Sequence, residues 1–191
     1  MNKLYGLVLA GGRSTRMGSD KSQLMFHGQP QADYLLHLLG SFCERGFLSV
    51  RPDQAGVGKR AAIADQFTLD TPLNGLLSAF QQQPSVAWLT VPVDMPGIDA
   101  KAIAYLLAHR DTSRVATCFF DSEGIRPEPL FAIWETSCSR LLPAFHQQGG
   151  TSPRAFLMEH TAALLHAPDP RWLQNINTPE ALAAWRQEQR N

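Results

Sequence analysis

The strand-like run at residues 4–10, LYGLVLA, stops at the pair Gly11-Gly12 and passes into a basic loop, Arg13-Ser14-Thr15-Arg16-Met17-Gly18-Ser19-Asp20-Lys21. A buried strand that ends this way delivers its glycines to the carboxyl edge of a sheet, where open α/β sheets bind their ligands. Glycine lets the backbone come close to a ligand and turn its N–H groups toward an anion. Arg13, Arg16 and Lys21 bring cations to the same place. Residues 1–30 hold four basic side chains against one acidic, in a chain with 17 basic and 17 acidic residues overall. The positive charge is therefore concentrated where phosphates would bind, and Leu9, Ala10, Gly11 and Gly12 are candidate backbone contacts to a phosphorylated ligand. The loop is not GxGxxG, and Gly58-Lys59 is followed by Arg60 with Asp53 where a P-loop needs glycine, so neither familiar phosphate motif is present.

Hydrophobic periodicity predicts further strands at 47–50, 86–91, 115–120 and 130–134. Helices are expected at 31–45, 75–82, 100–109, 137–147, 153–159 and 178–189. This alternation implies an α/β fold: a three-layer α/β/α sandwich around a mainly parallel, Rossmann-like sheet. No repeat or long linker interrupts the 191 residues, so a single domain over 1–191 is expected, with 51–60 and 121–128 as surface loops. Thr178 as N-cap, Pro179 and Glu180 mark the start of the last helix. Trp172 and Trp185 fit either partner sites or core residues around that helix.

The balanced charge argues against a nucleic-acid or membrane coat, and the apolar runs are far shorter than the roughly 20 residues a spanning helix needs. The first six residues lack the apolar segment of a secretory leader, which predicts a cytoplasmic protein. Cys43, Cys118 and Cys138 fit neither a disulfide framework nor a CxxC site and read as reduced and structural. None of the six histidines has zinc-type spacing, and GxSxG is absent.

Asp94 follows the 86–91 run, with Pro92 on the strand side and Pro96 two residues further on. That placement fixes a carboxylate at the carboxyl end of a central strand, facing the edge that carries the glycine loop. Mg2+ takes one or two protein oxygens and completes its shell with water and substrate phosphates, so one such aspartate suffices. The bland alternative, a cap on helix 100–109, is better served by Asp99.

LAGGRSTRMGSDK with the Phe26-His27-Gly28-Gln29-Pro30 turn resembles the opening signature of the molybdenum cofactor guanylyltransferases, within the wider nucleotidyltransferase family. The likeness continues at Pro72-Leu73-Asn74-Gly75-Leu76, at Val91-Pro92-Val93-Asp94-Met95-Pro96 and at Asn175-Ile176-Asn177-Thr178-Pro179-Glu180-Ala181-Leu182, in the family's order across nearly the whole chain. The resemblance implies a nucleotidyltransferase-type sheet and Mg2+-dependent transfer of GMP from GTP to molybdopterin, with release of pyrophosphate and delivery to cofactor-insertion proteins. It implies that Arg13, Arg16 and Lys21 neutralise phosphate charge, that Asp94 is the metal ligand, and that Asn177 supplies a second oxygen. From the residues alone, Asn175 and Asn177 read equally well as turn residues. Asp65, after the apolar run 61–64, matches a nucleotide-contacting aspartate, with Asp70 as a competitor.

Three positions depart from the pattern. Arg51 stands where a base-contacting asparagine is usual, Glu128 replaces a histidine, and Asn74 replaces a small residue. Gly11 gives the LAGG form of the guanylyl enzymes rather than the LAAG of their cytidylyl relatives. The alternatives are cytidylyl or other nucleotidyl transfer to a phosphorylated small molecule, and a non-catalytic nucleotide-binding or delivery module.

Overall fold

The computed structural model describes residues 3–10, 25–54 and 60–188. Gly11, Gly12, Arg13, Arg16 and Lys21 lie outside the described residues. The chain runs β1 (Leu4–Leu9), β2 (Met25–Phe26), β3 (Gln29–Pro30), α1 (Gln31–Gly40), β4 (Arg45–Val50), β5 (Ala62–Ala64), α2 (Leu73–Gln82) and β6 (Ala87–Pro92). It continues through α3 (Ala100–Ala108), β7 (Ala116–Phe120), β8 (Pro127–Trp134), α4 (Cys138–Gln147), α5 (Pro153–Glu159), β9 (Ala163–Leu165) and α6 (Pro179–Glu188).

Seven strands form one sheet in the order β5-β4-β1-β6-β8-β7-β9. β1 pairs in parallel with β4 and β6, while β8 runs antiparallel to both β6 and β7. Every residue of β1 and β6 is buried, as expected for central strands covered on both faces. The pleat divides them. Val8, Leu89 and Val91 pack with Leu35 and Leu39 of α1 and Ile103 and Leu106 of α3. Leu7, Leu9 and Trp88 pack on the other face with Leu76 and Phe80 of α2, Leu142 of α4 and Phe156 of α5. The three-layer α/β sandwich is thus present, with a mainly parallel sheet.

Some boundaries differ from the pattern reading. Helix α1 ends at Gly40 instead of running to residue 45, because Arg45 is taken by pairing with Tyr5 at the start of β4. β5 and β9, three residues each, had not been expected as strands; they gain their pairing from β4 and β7. β8 begins at Pro127, so Pro127 and Glu128 are buried strand residues and not part of a surface loop. β2 and β3 form a hairpin whose two turn residues, His27 (φ 53°) and Gly28 (φ 75°), both have the positive φ of a type I′ turn. The expected caps are present: Asp99 Oδ1 accepts from the Ala102 N–H, and Thr178 Oγ1 from the Ala181 N–H.

Candidate active site

Three parallel strands end together along one edge. Leu9 of β1 is in register with Ser49 of β4 and Pro92 of β6, so the segments that follow emerge side by side. The Val93 N–H donates to the Leu9 carbonyl (3.3 Å), tying the start of the glycine loop to the residue before Asp94. The loop's far end is tied to the same turn. His27 Nε2, in the hairpin after the loop, donates to the Pro96 carbonyl (2.9 Å), with the imidazole stacked on Tyr34 at 4.2 Å. Leu9 and His27, described residues that precede and follow 11–24 in the chain, are thus bonded to residues on the two sides of Asp94.

Asn177 comes to the same place by another backbone bond, from the Ile176 N–H to the Asp94 carbonyl (2.7 Å). The fit of this pair to a divalent cation can be judged from its donors. Asp94 Oδ1 is buried, the neighbouring asparagine offers an amide oxygen, and among the described residues no cluster of three or more His, Cys, Asp or Glu side chains could hold a metal ion. Few, hard, oxygen-only donors suit a cation that completes its shell on phosphate. Since Asp99 caps α3, Asp94 is not needed for that task.

One strand further toward the sheet's β5 edge lie the candidate nucleotide contacts. Asp65 follows β5, its N–H donating to the Val50 carbonyl (2.9 Å) and its carboxylate accepting from Ser49 Oγ (3.4 Å). Burial pushes the Asp65 carboxyl up to about 6, against the Ser49 hydrogen bond, which lowers it. Asp70, the competitor, is exposed on the loop before α2. Arg51 follows β4, with its guanidinium on Asp53 through two bonds of 3.2 and 3.3 Å. Asn74 turns inward from α2 and binds backbone groups of the loop after Asp65.

On the opposite flank, β8 brings Glu128 to the same edge because it runs antiparallel to β6. The Glu128 side chain is only 8% exposed and lies 3.6 Å from Arg154 of α5, which also reaches Asp121 (3.8 Å). Burial raises the Glu128 carboxyl above its ordinary range; the Leu130 N–H and Arg154 oppose this, while Asp94 and Asp121 add to it. The sequence marks Glu128 only as a departure and carries no motif that points to Arg154 or Ser49. An inward polar residue in the 47–50 run was the one available signal for Ser49.

The remaining sequence candidates are structural. Cys43, Cys118 and Cys138 are buried, and burial pushes each thiol up to about 12, which removes them as nucleophiles. His109, His146 and His160 bond to main-chain carbonyls within four residues. Trp172 and Trp185 are buried: the former joins the α1–α3 face, the latter a small cluster with Phe26 and Ile176.

Residues 6–164 match the MobA-like NTP transferase domain. A molybdenum cofactor biosynthesis bifunctional protein from Synechocystis sp. is 33% identical over 180 residues, covering 93% of this chain and 52% of that protein, so the chain spans about half its length. A probable molybdenum cofactor guanylyltransferase from Trichormus variabilis is 31% identical over 189 residues, covering 96% of this chain and 90% of the relative. In fold, the chain is similar to the crystal structure of molybdopterin-guanine dinucleotide biosynthesis protein A from Archaeoglobus fulgidus, with a TM-score of 0.80 at 18% identity over 97% of this chain and 98% of that one.

Proposed function

Because the chain belongs to the MobA-like NTP transferase family, we propose that it transfers the GMP part of GTP to the terminal phosphate of molybdopterin carrying molybdenum, releasing pyrophosphate. The observation that carries this reading is that Leu9 and His27, which precede and follow the basic glycine-rich sequence, are both bonded to the Asp94 turn, through Val93 and Pro96. A basic, glycine-rich sequence that leaves and re-enters the fold beside a carboxylate suits a triphosphate and its cation.

The attacking group is a phosphate oxygen, already ionised at neutral pH. No serine, cysteine or histidine nucleophile is required, and catalysis rests on orientation and charge neutralisation. Leu9, Ala10, Gly11 and Gly12 hold the nucleotide through their backbone, while Arg13, Arg16 and Lys21 offset charge on the α-phosphate and the departing pyrophosphate. Asp94 and Asn177 would hold Mg2+, which when bound supplies Lewis-acid neutralisation of the phosphate oxygens. Asp65 and Arg51 face the nucleoside. The Arg51–Asp53 pair is exposed, so transferring the guanidinium to a base costs at most about 1 kcal/mol. The acceptor approaches from the flank opposite the nucleoside, where Arg154, 36% exposed, offers a cation to its phosphate.

Among the described residues no helix is long and apolar enough to cross a membrane. The reading places the enzyme in the cytoplasm and its product with cofactor-insertion proteins. The test is pyrophosphate release with Mg2+ and each of GTP, CTP and ATP, with and without molybdopterin. A signal that needs both GTP and molybdopterin is the expected result. A preference for CTP would assign the sibling cytidylyl activity, the alternative that the replacement of the usual asparagine by Arg51 leaves open; nucleotide binding without pyrophosphate release would leave a delivery module.

A further inference from the structure

Residues 66–69, directly after Asp65, belong to no strand or helix, yet their backbone is held by two side chains one turn apart on α2. Asn74 Oδ1 accepts from the Phe67 N–H (3.1 Å), and its Nδ2 donates to the Phe67 carbonyl and to the Leu69 carbonyl (3.1 Å). Ser78 Oγ accepts from the Gln66 N–H (2.9 Å) and donates to Asn74 Oδ1 (3.3 Å). Both side chains are buried, Asn74 at 3% exposure and Ser78 at 0%. The Asn74 amide uses both donors and accepts twice, so its rotamer is fixed by the loop it binds.

The same helical turn touches the group that holds Asp65 from its other side. A Cβ at Gly75 would lie 2.4 Å from Ser49 Oγ and 3.3 Å from Leu9 Cδ2, so α2 is seated directly against the hydroxyl that donates to Asp65 and against the end of β1. Asp65 is thereby located by three bonds with independent origins: Val50 through its own N–H, Ser49 through its carboxylate, and the Asn74–Ser78 pair through the residue that follows it.

We propose that Asn74 and Ser78 are positioning residues that set the placement of Asp65 and so determine how tightly and selectively the nucleotide base is held. The proposal rests on the reading of Asp65 as a nucleotide contact. No other side chain of similar size replaces Asn74. Aspartate keeps the acceptor but loses both donors, and alanine leaves one N–H and two carbonyls of the loop without their partner. The departure from a small residue at this position is then a change in how the base pocket is braced, in the chain that also carries Arg51 in place of an asparagine.

The experiment is a double-mutant cycle read by calorimetric Kd for GTP and CTP with Mg2+, alongside kcat. Asn74→Ala should weaken GTP binding about tenfold, the effect of one buried polar anchor, and narrow the GTP-to-CTP ratio while kcat stays within about twofold. Ser78→Ala, which removes only the Gln66 anchor, should act in the same direction by about threefold. In an Asp65→Asn background, Asn74→Ala should add less than about twofold, since residues acting through one group are not additive. Full multiplication of the two effects, or Asn74→Ala and Ser78→Ala chains that bind GTP like the parent, would overturn the proposal. So would normal GTP binding by Asp65→Asn. Tight GTP binding by the parent without pyrophosphate release would instead count against the transfer reading and leave the cycle interpretable.

Discussion

Asp65 is a half-buried carboxylate whose burial raises its titration to about 6, and this sets its effect on stability against its proposed role in nucleotide binding across pH. A group with a raised folded-state pKa favours the folded chain most below its unfolded value and loses that contribution as pH rises through the folded one. Ionised Asp65 therefore costs stability above about pH 6. Asp65→Asn should be more stable than the parent at pH 7.5, on the order of 1–2 kcal/mol after allowance for partial solvation, and no more stable at pH 4. Thermal melts at the two pH values check this. A carboxylate that accepts from a base works only when ionised, so GTP affinity of the parent should fall about tenfold between pH 7 and pH 5 in a way that Asp65→Asn abolishes. Gln31 presents the contrary case. Its amide is wholly buried at the start of α1 and has no hydrogen-bond partner among the described residues. Gln31→Leu should raise stability by about 1–2 kcal/mol, seen as a Tm increase of about 3–6 °C. For the phosphate loop, Lys21→Ala should lower GTP turnover at least about tenfold with the circular dichroism spectrum unchanged.

At the scale of elements, the elements that carry the site were legible where local pattern and tertiary role agree. β1 and β6 are apolar runs because they are covered on both faces, and that is also why the residues at or just past their ends, Leu9–Ala10 and Asp94, are locatable from sequence. β5 and β9 were not legible, since three residues carry too little periodicity and their identity comes from a partner strand. Helix α1 was read too long because Phe42 and Cys43 continue its apolar spacing, while pairing of Arg45 with Tyr5 decides the outcome. The Asn74–Ser78 brace was hidden for a different reason. Two polar residues four apart look like a solvated helix face, and only the packing of 66–69 onto α2 buries them. The turn after Asp94 makes its own prediction. A Cβ at Gly97 would stand 2.0 Å from the Arg171 carbonyl oxygen, a backbone atom that cannot rotate away. Gly97→Ala should force the 94–97 turn from the Pro170–Leu173 segment, destabilise the fold by about 2–4 kcal/mol and weaken Mg2+-dependent GTP binding by separating Asp94 from Asn177. Denaturant titration and calorimetry read the two effects separately.

For the molecule as a whole, the flank proposed for the nucleotide and the flank proposed for the acceptor lie on either side of β6. Ser49, Arg51 and Asp65 follow β4 and β5, while Glu128 and Arg154 come from β8 and α5. An antiparallel β8 makes this possible, because it begins at the edge where the parallel strands end and so presents its first residues there. The family blocks revealed the edge but not its second flank, since Arg154 lies outside every block and is placed by α5 packing on β8. The hydrogen bond from Ile176 to the Asp94 carbonyl also has a meaning for biosynthesis. While the ribosome is still making this polypeptide, the chain up to α3 can complete β1, β4, β5 and β6 yet lack Asn177, whose neighbour Ile176 bonds to Asp94. Under the proposed roles, the part of the affinity that depends on the cation should therefore arise late in translation, after Asn177 can join Asp94.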